Sequence, residues 1–328
     1  MPLPLVLLTN AIDPAVTAEL ARHATVRVAG SPDADTLRRD SREADYVVVR
    51  APLPEDFFAQ APRLRAAVRH GAGLDMIPLA QASRHGVAVA NVPGVNAATV
   101  AEYAVGQMLN LARHLPRIDQ ALRAEGWAAA RQHSDRATDL GGKTLAVVGM
   151  GCIGHALARI CAAGFGMRVL GVRRTPAPDT ELVRHVTLQQ ALAQADYLVL
   201  ACPLTEQTRG LVGAAEFAQL KPGARLVNVA RGPVVDEAAL VDALRSGRLA
   251  GAALDVFATQ PLPADSPLRA LGNVLLSPHL AGMTLESTRR MSEGVLAQLL
   301  AMFRGELPEH LRNPDAREAI LARWAALA

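Results

Sequence analysis

The feature that most constrains the fold is an alternation of short apolar runs with helical patterns along nearly the whole chain. The runs are rich in Val and Leu and apolar on both faces, which is typical of parallel strands covered by helices on each side. Such alternation predicts βαβ units and doubly wound sheets, an α/β fold. The predicted strands are Leu5–Thr9, Tyr46–Arg50, Ala66–Arg69, Val87–Asn91, Thr144–Gly149, Arg168–Val172, Tyr197–Ala201, Arg225–Val229, Ala252–Val256 and Val274–Ser277.

A break between the fourth and fifth predicted strands indicates two α/β domains. One long amphipathic helix is predicted over Thr99–Arg123, and a polar stretch without regular structure, Arg131–Gly142, follows it. A second helix, Leu285–Phe303, is predicted to bring the C-terminus back to the first domain. We therefore expect a discontinuous domain over residues 1–98 and 286–328, and a second domain over residues 99–285.

Composition excludes several classes of protein. The chain has 328 residues, 50% hydrophobic and 20% charged, enough for two domains with separate cores. The net charge is only +3 and arginine is spread evenly, so no nucleic-acid partner is expected. No apolar run reaches the roughly 18–20 residues of a membrane helix, and Met1–Asn10 resembles a first strand rather than a signal peptide. Three cysteines without CxxC spacing suit the cytoplasm and disfavour a disulfide framework or a metal site.

The strongest local motif is Gly149-Met-Gly151-Cys152-Ile153-Gly154. A lone GxGxxG is a weak signal, but this one leaves a strand and opens a helix, which is the context for dinucleotide binding. Gly149 would permit the tight turn, Gly151 would let backbone approach the pyrophosphate, and Gly154 would let the helix pack against the strand. The N–H groups at the helix start, around Cys152 and Ile153, would face the phosphates. The alternative is a strand–turn–helix unit without a ligand.

The strand after this motif predicts which dinucleotide binds. NAD sites usually carry an acidic residue about 20 positions on, which accepts hydrogen bonds from the adenosine ribose. Here the strand ends in Arg173-Arg174-Thr175, and no acidic residue follows until Asp179. Guanidinium groups can bind the 2′-phosphate of NADP with forked hydrogen bonds. We therefore expect NADP, and NAD remains possible if the arginines only face solvent.

Polar residues of three types follow three consecutive strands of the second domain. Arg231 follows Arg225–Val229, Asp255 ends Ala252–Val256, and His279 follows Val274–Ser277. Open α/β sheets bind ligands at the carboxyl ends of their strands. Hydride transfer to a keto acid needs a cation that polarises the carbonyl and an acid that protonates the alkoxide. Arg231 and His279 are suitable, although each residue taken alone could be an ordinary surface group.

These motifs resemble the D-isomer-specific 2-hydroxyacid dehydrogenase family, which includes D-3-phosphoglycerate dehydrogenase and glyoxylate/hydroxypyruvate reductase. The resemblance implies a flavodoxin-like substrate domain (1–98 and 286–328) and a Rossmann dinucleotide-binding domain (99–285). It also implies nicotinamide-linked reduction of a small 2-keto acid to a 2-hydroxy acid, for which Arg173 and Arg174 predict NADP. The segments that carry it, besides the glycine motif, are His70–Asp75, Asn96–Glu102, Cys202–Thr205, Lys221–Gly223, Asn228–Leu240, Ala253–Phe257 and His279–Thr284.

The resemblance also assigns roles to individual residues. It implies that Arg231 binds the substrate carboxylate and carbonyl, that His279 is the acid/base, and that Asp255 holds the nicotinamide carboxamide. Backbone N–H groups of Ala72 and Gly73 would seat the substrate carboxylate, near Asn96 in the interdomain hinge. Further cofactor contacts are implied for Cys202, Pro203, Thr208, Ala230 and Gly282. A homodimer is implied as well, with Gly126 and Trp127 near the partner, unless Trp127 packs within its own subunit.

One position departs from the family pattern. Members usually pair the histidine with a glutamate, and this chain has Gln260 there. A neutral amide can orient the imidazole but lacks the charge that favours its protonated form. We therefore expect reductive activity to decline at a lower pH than in relatives with glutamate. Formate dehydrogenases of the family also have glutamine, so formate oxidation is a minor alternative, beside phosphoglycerate dehydrogenase and a catalytically idle cofactor sensor.

Overall fold

A computed structural model describes residues 3–327 of the chain. The chain divides into two compact units. Unit 1 comprises Met1–Asn96 and Thr284–Ala328, and unit 2 comprises Ala97–Met283. Within residues 3–327, no helix combines the length and the apolar character needed to cross a membrane.

Unit 1 is built on five parallel strands in the order β2-β1-β3-β4-β5, which is the flavodoxin-like order. Both faces of this sheet are buried, because Tyr46 and Val48 of β3 enter one hydrophobic cluster while Val47 and Val49 enter another. The elements of the first segment are β1 (Leu5–Leu8), α1 (Pro14–Leu20), β2 (Thr25–Val28), α2 (Ala34–Asp40), β3 (Tyr46–Val49), α3 (Phe57–Gln60), β4 (Ala66–Arg69), α4 (Leu79–Arg84) and β5 (Ala88–Ala90).

Unit 2 contains a parallel sheet of seven strands in the order β12-β11-β10-β9-β6-β7-β8, the Rossmann order with an additional strand at one edge. The first strands of the unit are added outward from β6 in one direction, and the later strands are added in the other direction from β9, the parallel neighbour of β6. The prediction of two doubly wound parallel sheets is confirmed. The strands are β6 (Thr144–Val148), β7 (Arg168–Val172), β8 (Arg184–His185), β9 (Tyr197–Leu200), β10 (Ala224–Asn228), β11 (Leu249–Leu254) and β12 (Val274–Leu276).

The helices of unit 2 and of the returning segment complete both units. Those of unit 2 are α5 (Ala97–Arg113), α6 (Leu115–Glu125), α7 (Trp127–Gln132), α8 (Cys152–Arg159), α9 (Leu188–Leu192), α10 (Ala214–Gln219) and α11 (Glu237–Arg245). The C-terminal part of unit 1 contributes α12 (Leu285–Phe303) and α13 (Arg317–Ala326). The predicted bounds of α12 are thus confirmed.

The single helix predicted over Thr99–Arg123 is wrong, because two helices, α5 and α6, occupy that range. His114 separates them in the left-handed conformation, with φ of 54°. Pro116 stands in the first turn of α6, where a residue without an N–H is tolerated, whereas it could not continue α5. The stretch Arg131–Gly142 was predicted to lack regular structure, but its first two residues belong to α7.

Candidate functional site

The turn between β6 and α8 requires glycine at two of its three motif positions. Gly149 has φ of 104°, and a Cβ there would lie 2.6 Å from the carbonyl carbon of Ala201. A Cβ at Gly154 would overlap the carbonyl oxygen of Gly149, so glycine is what lets α8 pack onto the turn. Gly151 differs, because its backbone is extended and a Cβ there would meet no protein atom within 4 Å.

Helix α8 begins at this turn, with the exposed Cys152 and the half-buried Ile153 as its first residues. The first N–H groups of a helix have no acceptor within the helix. Gly149 N–H donates to the carbonyl of Val172 at 2.9 Å, which ties the turn to the end of β7. The turn therefore presents helix N–H groups next to the β7 end.

Arg173, Arg174 and Thr175 follow β7 directly and are all exposed. Among residues 3–327, neither Arg173 nor Arg174 forms an ion pair with an acidic side chain. Two guanidinium groups thus stand beside the glycine turn without neutralising protein partners.

The end of β9 lies against the glycine turn at the point where the sheet order reverses. Cys202 is buried there, and burial raises the pKa of its thiol, so Cys202 acts as a packing residue rather than a nucleophile. The following loop, which starts at Pro203, is braced by Thr208. The Thr208 hydroxyl donates to the Pro203 carbonyl at 2.7 Å and accepts from Thr205 N–H at 2.7 Å.

The loops after β10, β11 and β12 are joined at one edge of the sheet. These strands are neighbours, with Asn228 in register with Leu254, and Leu254 with Leu276. Asp255 N–H donates to the Asn228 carbonyl at 3.1 Å, and His279 N–H donates to the Asp255 carbonyl at 2.8 Å. The backbone therefore links the segments that carry Arg231, Asp255 and His279.

The loop carrying Arg231 is braced by Asn228. The Asn228 side chain is buried, donates to the Arg231 carbonyl at 3.2 Å and accepts from Ala230 N–H at 3.0 Å. The half-buried Arg231 guanidinium donates to the Ala230 carbonyl at 2.7 Å. A Cβ at Gly232 would overlap the carbonyl of Phe257, so this loop packs directly on the one after β11. Sequence reasoning missed the bracing role of Asn228, although a polar residue ending an apolar strand was a signal.

His279 is held in an unusual backbone conformation. Its φ is 57°, the left-handed region that non-glycine residues seldom adopt. Its Nδ1 lies 3.1 Å from Oε1 of Gln260. A neutral ring with Nδ1–H donating to this oxygen has its lone pair on Nε2, and a protonated ring carries hydrogen on both nitrogens. Gln260 can therefore orient the exposed His279 ring in both states.

Asp255 anchors the His279 loop. Its side chain is 2% exposed, and one carboxylate oxygen accepts from Ser277 Oγ at 2.7 Å and Leu280 N–H at 2.8 Å. The other oxygen accepts from Ala281 N–H, next to Gly282, at 2.8 Å. Those are three donors, whereas a carboxylate offers about four acceptor positions. One acceptor position on the second oxygen therefore has no donor among the described residues.

Tyr103 extends this network from helix α5. Its hydroxyl makes a short hydrogen bond with Ser277 Oγ. Because Ser277 gives its only hydroxyl hydrogen to Asp255, Tyr103 must be the donor. Burial raises the pKa of Tyr103, so the phenol keeps that proton. The sequence showed Tyr103 only as a member of a helix face.

Unit 1 presents the Ala72–Gly73 loop after β4. The Arg69 guanidinium donates to the carbonyls of His70 at 2.6 Å and Gly73 at 3.2 Å, and Asn91 Nδ2 donates to the Ala72 carbonyl at 2.6 Å. Within the described part of the chain, neither Ala72 N–H nor Gly73 N–H has a protein acceptor. The half-buried Asn96 is the last residue of this segment.

No cluster of three or more His, Cys, Asp or Glu side chains within residues 3–327 is arranged to hold a metal ion.

Comparison with known proteins places these features in one family. Residues 105–281 match the model described as D-isomer specific 2-hydroxyacid dehydrogenase, NAD binding domain. The chain is 40% identical over 268 residues to the glyoxylate reductase of Korarchaeum cryptofilum, covering 80% of each protein. It is 38% identical over 311 residues to the D-3-phosphoglycerate dehydrogenase of Mycobacterium bovis. That match covers 93% of this chain but 58% of the relative, so the chain spans less than two thirds of the mycobacterial enzyme.

A solved structure gives the same result. The NADPH-dependent glyoxylate/hydroxypyruvate reductase of Sinorhizobium meliloti, in complex with NADP and malonate, superimposes with a TM-score of 0.84 at 32% identity. The superposition covers 94% of this chain and 97% of that one. The chain therefore belongs to the D-isomer-specific 2-hydroxyacid dehydrogenase family, a family of nicotinamide-dependent oxidoreductases.

Proposed function

We propose that this chain reduces a small 2-keto acid, such as glyoxylate or hydroxypyruvate, to its 2-hydroxy acid and prefers NADP as cofactor. Unit 1 would be the substrate domain and unit 2 the dinucleotide-binding domain. The observation that carries this proposal is the hydrogen-bonded set of strand ends that holds Arg231, Asp255 and His279 on the sheet of the glycine turn. An acid and a cation on one nucleotide-binding sheet are the groups that keto-acid reduction needs.

The glycine turn fits a dinucleotide. Among residues 3–327, no neighbour demands glycine at position 151, where the backbone is extended and a Cβ would meet none of the described atoms within 4 Å. A close approach by phosphate would explain the missing side chain. The N–H groups at the start of α8, around Cys152 and Ile153, would hold the pyrophosphate. Pro203, Thr208, Ala230 and Gly282 would line the rest of the cofactor site, and the bound nicotinamide would supply the hydride.

The other residues of the proposed site would bind the substrate or protonate it. Arg231 would bind the carboxylate and stabilise negative charge that develops on the carbonyl oxygen. His279, oriented by Gln260, would give its proton to that oxygen. Gly73 N–H and Ala72 N–H, which have no protein acceptor in the described chain, would bind the carboxylate from unit 1, with Asn96 nearby. The remaining acceptor position of Asp255 would take the carboxamide N–H of the nicotinamide.

The NADP preference rests on Arg173, Arg174 and Thr175. Charge-assisted hydrogen bonds from the two guanidinium groups would bind the 2′-phosphate, and neither group is neutralised by a described acidic residue. NAD would bind without those bonds and therefore more weakly.

A substrate screen tests the proposal. NADPH and NADH oxidation is measured with a panel of 2-keto acids, for the wild type, Arg231→Ala, and Arg245→Ala, an exposed arginine on α11 as control. We expect turnover of a small keto acid with a higher kcat/KM for NADPH, a loss of about 100- to 1,000-fold in Arg231→Ala, and no loss in the control. Absence of keto-acid turnover would refute the proposed activity, and a clear NADH preference would refute the role of Arg173 and Arg174.

Formate oxidation is a second candidate, favoured by the contact of His279 with the neutral Gln260 rather than with a carboxylate. Oxidation of formate to carbon dioxide releases no substrate hydroxyl proton, so the ring does not need to act as a base there. Formate added with NADP or NAD in the same assay separates the two activities.

A homodimer in the cytoplasm is also part of the proposal. Trp127, the first residue of α7, is 70% exposed, and Leu115 and Leu122 on α6 are exposed as well. Apolar side chains of this size on adjacent helices are typical of a surface that another subunit covers. The three free cysteines suit a reducing compartment.

A further inference from the structure

We propose that Arg312 and Asn91 form a relay that aims Gly73 N–H at the substrate carboxylate, which makes both of them positioning residues for substrate binding. The inference rests on the proposed function, because the carboxylate is the ligand that this N–H would bind. It goes further by assigning a role to a residue outside the segments that identify the family.

Arg312 lies close to the Ala72–Gly73 loop because its segment extends the unit 1 sheet. Leu311 forms an antiparallel bridge with Ala90 of β5, and Arg312 N–H donates to the Val89 carbonyl at 2.7 Å. This pairing brings Arg312 Nε to 2.6 Å from Asn91 Oδ1. The Asn91 side chain is 4% exposed, so few alternative partners from solvent are open to it.

Arg312 determines which way the Asn91 amide faces. A guanidinium can only donate hydrogen bonds, so the amide oxygen must face Arg312. The amide nitrogen then faces the Ala72 carbonyl, to which it donates at 2.6 Å. A reversed amide would place two oxygens against each other at Ala72 and two donors against each other at Arg312. Removal of the guanidinium would therefore remove one of the two contacts that favour this orientation and leave only the Ala72 carbonyl to hold it.

The Asn91 amide in turn sets the direction of Gly73 N–H. The peptide that joins Ala72 to Gly73 is trans, so its C=O and N–H point in opposite directions. With the carbonyl held at Asn91, the N–H is turned away from Asn91. Because Gly73 has no Cβ, its backbone is less restricted than that of other residues, so release of the carbonyl would let this peptide change its orientation. The Arg69 guanidinium fixes the next carbonyl, that of Gly73, at 3.2 Å.

A purely structural role for the Arg312 guanidinium is disfavoured, because the adjacent Asn313 already holds this segment on the sheet through hydrogen bonds. The buried Asn313 side chain accepts from Val89 N–H at 2.9 Å and donates to the Val87 carbonyl at 2.9 Å. It also donates to Ser83 Oγ at 3.2 Å. The segment can therefore keep its place on the sheet when only the Arg312 guanidinium is lost.

The test compares Arg312→Met, which keeps the apolar stem, with Asn91→Asp, which keeps the shape but cannot donate to the Ala72 carbonyl. Arg304→Met is the matched control, since Arg304 pairs with Glu306 on the surface of the same unit. Kinetics with the best keto acid are combined with titration of oxalate, a dicarboxylate probe, into the enzyme with NADPH bound. In both variants we expect the KM for the keto acid to rise about tenfold and the affinity for oxalate to fall about tenfold. The kcat and the KM for NADPH should change less than about threefold.

Unchanged KM and oxalate affinity in both variants, relative to Arg304→Met, would overturn the relay. The relay would also be overturned if both variants lost kcat and NADPH affinity as much as oxalate affinity and had a thermal midpoint as low as that of Asn313→Ala. Such a result would indicate that Arg312 and Asn91 only support the structure. If the wild type turns over no keto acid, the proposed function fails, and the oxalate titration still decides the relay. A lower affinity for oxalate in both variants than in the wild type supports the relay. Equal affinity in all three proteins, or no oxalate binding to the wild type, overturns the relay.

Discussion

Gln260 stands where the resemblance to the family predicts a glutamate. Its Oε1 lies 3.1 Å from Nδ1 of His279, so it orients the ring through a hydrogen bond. A carboxylate at that distance would do the same and would also attract the positive charge of a protonated ring. The substitution thus separates orientation from charge, two effects that a glutamate supplies together.

The change Gln260→Glu should therefore move the pH dependence of reduction. With His279 as the proposed proton donor, reduction needs a protonated ring, and an adjacent carboxylate lets the ring keep its proton to higher pH. We expect the upper limb of the kcat/KM profile for keto-acid reduction to shift upward by about one pH unit. Gln260→Asn, which is neutral and shorter, should lower the rate without moving the limb upward. Identical limbs for the glutamate variant and the wild type would contradict the electrostatic role.

The candidate site was only partly predictable at this scale. Arg231, Asp255 and His279 each follow an apolar strand, so their residue types and positions were visible in the sequence. The contact of Tyr103 with Ser277 was not, because 174 positions separate the two residues and no periodicity connects them. Bracing by Asn228 likewise depends on hydrogen bonds that only the folded loop forms.

Among the elements of unit 1, β4 and α12 are joined by a buried histidine. His70 is 3% exposed, and its Nε2 lies 2.8 Å from Ser292 Oγ. Ser292 gives its hydroxyl hydrogen to the Thr288 carbonyl at 2.8 Å, so His70 must donate from Nε2. Burial, together with the positive charges of Arg50 and Arg69, lowers the pKa of His70 to about 3.

This histidine should make stability depend on pH. In the unfolded chain the ring takes up a proton below about pH 6.5, whereas in the folded chain it does so only near 3. The free energy of unfolding should therefore fall as pH is lowered from 6.5 towards 3, by about 2 kcal/mol at pH 5. Urea unfolding of the wild type and His70→Gln at pH 7 and pH 5 measures it. If the free energy of unfolding falls by the same amount from pH 7 to pH 5 in both proteins, His70 is not the source of the pH dependence.

Strand prediction succeeded for apolar runs and failed at one edge of each sheet. Each of the ten predicted strands overlaps a strand of the structure, because each contains a short apolar run, and most of these runs are buried on both faces. The two missed strands, β2 and β8, lie at sheet edges. β2 carries Arg27 and exposes most of its residues, and β8 has two residues, so neither leaves an apolar run. The break at His114 was missed although Pro116 signalled it.

For the whole molecule, the apolar surface of α6 and α7 predicts the oligomeric state. Trp127→Asp would place a charge where a partner subunit is proposed to cover the indole, and burying an unpaired charge is costly. We expect sedimentation velocity to show a dimer for the wild type and mostly monomer for the variant. Leu321→Asp, at an exposed apolar position on α13, should stay dimeric. A monomeric wild type, or a variant as dimeric as the control, would refute this interface.

The central proposal is that Arg231 binds the carboxylate of a 2-keto acid while His279 gives a proton to its carbonyl oxygen. Held at both groups, the substrate would present one face of its carbonyl carbon to the nicotinamide. The configuration of the product tests it most directly. With hydroxypyruvate and NADPH, the wild type should yield glycerate of the D configuration, and His279→Ala should yield it at least about 100-fold more slowly. Formation of L-glycerate or racemic glycerate by the wild type, or no turnover of any small 2-keto acid, would contradict this proposal.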